Sequence, residues 1–238
     1  MRFLIKYATR ARPNMFVKAI HNIKNSISTK DYEILITADE DDRSMNNPQV
    51  RKYISQLKNA RVVYGKSDSK VHAINRDMEG LSNWDILVNH SDDMVFKIRG
   101  WDKKIVANSQ AIWGSSLDWF GHWSDGYVHA ALPTLAIMGR EYYERDKYIY
   151  HPSYKSFSCD AEQMYVAMAR KKYHYFPDVL FHHQHPGNSK RFRVDGLYRS
   201  NSRFSEHDIK NYFERLNNDF ECGIPGPHVW DEFKGRIR

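Results

Sequence analysis

The segment Ser91-Asp92-Asp93 follows directly on the apolar run Ile86, Leu87, Val88, and the chain returns at once to Met94, Val95 and Phe96. Two other apolar runs also stop at polar clusters: Thr9, Arg10 and Arg12 follow the first, and Asp39, Glu40, Asp41 and Asp42 follow the second. Grouped carboxylates suit a hard divalent cation, which prefers oxygen ligands and can bridge them to a diphosphate. Further on, His182, His183 and His185 fall within four residues before Pro186. Strand alternation sets His183 and His185 on one face and His182 on the other. Each feature alone has a plainer use. An Asp pair suits a turn, acidic groups suit a helix start, and a lone His is more often structural than a ligand. Three strand ends carrying polar clusters, one of them after a fully apolar strand, argue for a site.

Such a site needs a scaffold that brings strand ends together. Strands are expected over residues 3–8, 32–38, 61–64 and 85–89. Helices are expected from Pro13 to about residue 27, over 50–57 and over 69–81, from apolar residues at helical spacing. This β-α-β-α-β-α-β order predicts an α/β fold with a mostly parallel sheet flanked by helices. Ligands of such sheets bind beyond the carboxyl ends of the strands, where all three clusters would meet. The later residues are less regular. Helices are expected over 99–109, 140–145 and 160–171, and strands over 135–138 and 179–183. The Trp-rich stretch 113–127 reads as a loop. Ser205 with Asp208 reads as a capping box opening a helix to about residue 220, and residues 223–238 as a Gly/Pro-broken surface tail.

The 238 residues, 41% hydrophobic and 27% charged, are enough for one domain with a real core. No run reaches the ~18 apolar residues of a membrane span, and residues 1–7 read as a strand rather than a secretory signal. The expectation is a cytoplasmic protein, bacterial or, if viral, in the host cytoplasm. Cys159 and Cys222 are too few for a disulfide framework. A net charge of +7 favours an anionic partner, although a solvated basic surface would carry it equally well.

In this order, "ATRARP" after the first strand, "TADEDD" after the second, "SKVHAINRD" after the third and "SDD" after the fourth resemble a family 2-type glycosyltransferase of the GT-A fold. The resemblance covers most of the chain and is strongest over residues 1–96. It implies one GT-A-type, Rossmann-like domain, with 1–96 as the nucleotide-sugar-binding half and 97–238 as the acceptor-binding and C-terminal half. It implies that Thr9, Arg10 and Arg12 meet the donor nucleotide, that Asp39 contacts the base, and that Lys70 approaches the diphosphate with Asn75 one turn on. Asp93 would bind Mn2+ or Mg2+ and Asp92 would lie by the ribose. Ser91 departs from the family pattern by holding the first acidic place, which implies a weaker metal site. His183 or His185 would complete the cation site. An acidic residue opening the helix near 160 would be the base of an inverting reaction: Asp160, with Glu162 in reserve.

The chemistry explains why these residue types are needed. Transfer from a nucleoside diphosphate sugar leaves charge on the departing phosphate, which a divalent cation and Arg or Lys stabilise. The attacking hydroxyl must lose a proton, which a carboxylate within reach can take. Trp113, Trp119, Trp123 and Tyr127 read either as core or as an aromatic acceptor platform. Lys190, Arg191, Arg193, Arg199 and Arg203 read as a loop over the diphosphate, as a surface for an anionic acceptor such as DNA, or as a solvated loop. The acceptor remains open between modified nucleic acid, such as a hydroxymethylated DNA base, and polysaccharide. The rival readings are a metal-dependent nucleotidyltransferase or hydrolase using the same carboxylates, and a non-catalytic basic nucleic-acid-binding module.

Overall fold

Strands covered on both faces read as unbroken apolar runs, and such runs build the first half. The computed structural model describes residues 1–224. It runs β1 (Phe3–Thr9), α1 (Pro13–Ser26), β2 (Tyr32–Asp39), α2 (Pro48–Ser55), β3 (Ala60–Gly65), α3 (Lys70–Asn75), β4 (Ile86–His90), β5 (Met94–Phe96) and α4 (Trp101–Trp113). Then come β6 (Phe120–Ser124), β7 (Ile137–Gly139), α5 (Arg140–Asp146), α6 (Cys159–Ala169), β8 (Tyr173–Val179), β9 (Phe181–His183), α7 (Gly196–Ser202) and α8 (Ser205–Asn217).

Seven strands form one sheet in the order β3-β2-β1-β4-β7-β6-β8. The first four are parallel, β7 is antiparallel to both neighbours, and β6 pairs with β8 in parallel. β5 and β9 form a separate antiparallel pair. The chain winds from β1 out to β3 and then returns to the other side of β1 with β4. The sheet therefore has its topological switch point between β1 and β4, where a crevice opens.

Each face of the sheet carries its own core. Phe3, Ile5 and Tyr7 of β1 join Ile34, Ile36 and Val88 against α1, α2 and α4. Leu4, Leu35 and Leu87 point the other way, toward α3, α5, α6 and α8. Helix α1 shows how the sequence sets this. Pro13 occupies its first turn, and Phe16, Ile20 and Ile23, all fully buried, face the sheet. Each such side chain contributes roughly 1.5–3 kcal/mol by leaving water.

Four expectations need correction. The Trp-rich stretch is no loop, because its centre is β6, buried along its length. Trp119 and Trp123 are core residues, with Trp123 stacked on Phe176 at 4.4 Å between centroids and Trp119 on Trp113 at 5.2 Å; neither offers a face to an acceptor. Helix α3 stops at Asn75, because Arg76 is extended and Asp77 is left-handed (φ 69°), turning the Asp77 carboxylate to Thr37. No capping box opens α8: Asp208 is fully buried and accepts the backbone N–H groups of Lys155, Ser156 and Phe157 at 2.7–2.9 Å. The late strand is two strands, because the chain leaves β8 and turns at Leu180 to pair β9 with β5. The tail expected at 223–238 lies outside the described residues from 225 on. Among the described residues no helix is long and apolar enough to cross a membrane.

Candidate active site

A cleft of about 800 Å³ lies along the carboxyl edge of β1, β2 and β4. Its lining includes Thr9, Arg10 and Arg12, Asp39, Asp92 and Asp93, Lys70, Asp160, His183 and His185. Ten of the twelve residues singled out from the sequence therefore converge there.

The turn after β1 divides the two arginines. Ala11 is left-handed (φ 59°), its N–H held at 2.6 Å by Asp42 Oδ2. That conformation costs a residue with a Cβ roughly 1–2 kcal/mol, and strain of this kind concentrates at functional sites. On one side of it Arg10 donates to Asp39 Oδ2 at 2.7 Å and to both Asp41 oxygens. On the other side Arg12 makes a two-pronged contact with Asp195 (2.6 and 3.0 Å) and reaches Asp93 Oδ2 at 3.4 Å. The buried Oδ1 of Asp39 has no hydrogen-bond partner among the described residues.

The neighbouring carboxylates after β4 are unlike one another. Asp92 turns inward and accepts from Tyr7 Oη (2.9 Å) and Thr9 Oγ1 (3.1 Å). Burial pushes its pKa up to about 7, against the pull of those hydrogen bonds. Thr9 and Asp92 therefore spend hydrogen-bonding capacity on each other. Asp93 turns toward the cleft, with Ser91 Oγ at 2.5 Å and His183 Nε2 at 3.8 Å. Burial alone would raise the Asp93 carboxyl, but His183, Ser91 and Arg12 outweigh it and hold it well below the usual carboxylate range. The rings of His183 and His185 lie 5.2 Å apart. Burial and the neighbouring His183 lower the pKa of His185, which favours the neutral imidazole that ligation requires. Its Nδ1 accepts from Gly187 N at 3.1 Å, which leaves Nε2 unengaged by that contact.

This donor set fits an open cation site: an ionised carboxylate, one imidazole facing it and a second imidazole beside that. Among the described residues no group of three or more His, Cys, Asp or Glu is drawn together tightly enough to hold an ion alone. The remaining positions would fall to substrate oxygens and water, as Mg2+-type ions commonly arrange.

The same cleft is lined by Lys70 and Asp160. Ser69 caps α3 by accepting His72 N at 3.1 Å, which sets Lys70 at the helix start. Lys155 O accepts from Val71 N at 3.1 Å and so ties that turn to the segment entering α6. Ser158 is left-handed (φ 60°), a second strained residue at the cleft, two positions before Asp160. Burial raises the Asp160 pKa, and the Lys70 ammonium and His183 partly offset the rise.

Two expected residues are not brought to the cleft. Asn75 clamps the 149–150 backbone, donating to Tyr150 O (2.6 Å) and accepting from Ile149 N (2.9 Å). Glu162 is 3% exposed and points into the core, where Arg215 grips both its oxygens (2.8 and 2.9 Å) and Tyr154 Oη donates at 2.7 Å. It does not line the cleft, and its oxygens are taken by Arg215 and Tyr154, which argues against it as the reserve base. Sequence reasoning missed Asp195, which caps α7 through Tyr198 N at 2.8 Å and also holds Arg12. Its signal is an Asp directly before a short helical run.

No known family profile and no curated protein sequence matches the chain. Solved structures do. A mannosyltransferase, PcManGT from Pyrobaculum calidifontis in complex with GDP-Man and Mn2+, superposes with a TM-score of 0.69 at 13% identity, over 99% of this chain and 68% of that one. S. aureus TarS 1–349 in complex with UDP gives 0.57 at 14% identity, over 76% of this chain and 60% of that one. The complex of the same protein with UDP-GlcNAc gives 0.57 at 13%. The fold is thus GT-A, and the chain spans about two thirds of PcManGT and less of TarS.

Proposed function

We propose that this protein transfers a sugar from a nucleoside diphosphate sugar to an acceptor hydroxyl with the help of Mn2+ or Mg2+, inverting the anomeric centre. The observation that carries the reading is the convergence of Asp160, Asp93 and His183 on one cleft at the switch point of a GT-A sheet. The donors named for the similar structures, GDP-Man and UDP-GlcNAc, are the class that such a cleft would take.

Each residue then has a task. Asp39, held by Arg10 through Oδ2 and with Arg76 3.9 Å from its Oδ1, lines the cleft as an acceptor suited to a base N–H. Arg12 and Lys70 supply positive charge for the diphosphate. Asp93 and His183, with His185 beside them, would hold the cation, which adds positive charge at the leaving phosphate. Asp160 takes the proton of the acceptor hydroxyl as its oxygen bonds to the anomeric carbon and the bond from that carbon to the diphosphate breaks. One such displacement, from the side opposite the leaving group, inverts the centre. The acceptor hydroxyl belongs to a modified nucleic acid or to a glycan, and the reaction takes place in the cytoplasm.

A thermal-shift screen of GDP- and UDP-sugars with and without Mn2+ tests this. A donor at 100 times its Kd stabilises the folded state by about 2.7 kcal/mol, which is roughly 5–10 °C in a chain of this size. A rise that needs both donor and Mn2+, followed by release of nucleoside diphosphate when acceptor is added, is expected. No shift with any donor, or release to water alone at an equal rate, overturns it.

A further inference from the structure

Four of the five basic residues singled out late in the sequence lie outside the cleft. Residues 187–204 carry Lys190, Arg191, Arg193, Arg199 and Arg203 against one acid, Asp195, which Arg12 occupies. All five are exposed, and none makes an ion pair among the described residues. Only Arg203 lines the cleft. The other four stand outside it.

Arg191 and Arg193 adjoin a ring surface that also lies outside the cleft. Tyr127 packs edge-on against His182 (5.4 Å) and Phe192 (6.0 Å), and Phe192 lies between Arg191 and Arg193 in the chain. Gly126 (φ 78°) makes the first contact possible, since a Cβ there would meet the His182 ring at 3.0 Å. In the two-stranded sheet His182 pairs with Val95. Lys97, two residues further along, emerges on the same side and is also exposed without an ion pair among the described residues. Val128, next to Tyr127, lines the cleft, so this face meets the cleft mouth.

We propose that this face binds a nucleic-acid strand, with phosphates on Lys97, Lys190, Arg191 and Arg193 and bases against Tyr127 and Phe192, and so leads an acceptor to the cleft. Unpaired cations interleaved with rings are what a sequence-tolerant strand-binding surface requires. A diphosphate sugar is too short to use charges outside its own cleft, and a neutral glycan would not need them. The delivery of an acceptor rests on the glycosyl-transfer reading; the binding does not.

Fluorescence anisotropy with a labelled thymidine oligonucleotide of about twelve nucleotides, a length within the range such surfaces cover, tests the binding. Affinity should fall steeply with salt, and Arg191→Ala/Arg193→Ala should reduce the slope of log K against log salt by about 1.4. Phe192→Ala and Tyr127→Leu should each weaken binding about tenfold with the slope unchanged. Unchanged melting points and donor-induced shifts would certify the fold of these variants. No binding at low salt overturns the proposal. So does equal competition by polyphosphate of matched charge with both ring variants neutral, which would mean a polyanion without bases. Loss of the donor shift with strand binding intact counts against glycosyl transfer and leaves this surface standing.

Discussion

His183 Nε2 lies 3.8 Å from Asp93 Oδ2, too far for a good hydrogen bond and close enough for one ion to touch both. Ligand atoms each about 2.1 Å from an ion can be up to about 4.2 Å apart. Arg12 reaches the same carboxylate oxygen at 3.4 Å, so a positive guanidinium already stands where positive charge is favoured. Asp93→Ala is expected to abolish the Mn2+-dependent part of the donor thermal shift and to lower transfer by about 10²–10³-fold. Titrating Mn2+ against the variant in both assays checks it. A wild-type Mn2+ response would remove Asp93 from the cation site.

Asp160 is expected to behave as a base whose pKa stands above the ordinary carboxylate range, because burial raises it. Only its ionised form accepts a proton, so kcat/KM should rise with pH through that raised value. Lys70 opposes the rise, so Lys70→Met should move the acidic limb to still higher pH. Asp160→Asn should lower kcat by about 10²–10⁴-fold while leaving the donor shift intact. A pH–rate profile of the three proteins decides it; an acidic limb that ignores Lys70→Met would sink the assignment.

The first four strands were legible because both their faces are covered, so they read as the unbroken runs around Ile5, Ile36 and Val88, with polar clusters where the runs end. Strand β6 was not. Gly121, His122 and Ser124 are buried in it, and no apolar period marks such a strand. Glu162 was misread for a different reason: its partner Arg215 is 53 residues away, and nothing local distinguishes a buried ion pair from an acidic first turn. Asp208 matched the spacing of a cap, yet its carboxylate holds backbone from a loop more than 50 residues earlier. Local spacing reports strands and their ends well, but it carries no information about partners distant in the chain.

The Glu162–Arg215 pair is expected to govern stability and not turnover. Both side chains are nearly inaccessible, at 4% and 10% exposed. Removing one partner strands the other charge, a change worth about 3–5 kcal/mol. Arg215→Leu should therefore lower the unfolding free energy by that amount in urea, with turnover per folded molecule near wild type. A Glu162→Gln protein that folds normally but loses transfer would return Glu162 to the catalytic candidates.

Lys6 sits in the middle of β1 with no exposure, donating to Thr37 Oγ1, which in turn donates to Asp77 Oδ2 at 2.6 Å. Burial lowers its pKa to about 7, with Asp77 opposing the shift. The sign of the consequence is fixed by proton counting. Below pH 7 the folded and unfolded chains both hold the proton. Between about 7 and 10 the unfolded chain still holds it and the folded chain does not, so the unfolded state binds more protons and stability rises with pH. Lys6→Met removes that titration. Urea unfolding at pH 7 and at pH 9.5 should show the stability of the wild type increasing relative to the variant across the interval. Parallel behaviour of the two proteins would mean that Lys6 stays charged in the folded state, held by Asp77 more strongly than burial opposes it.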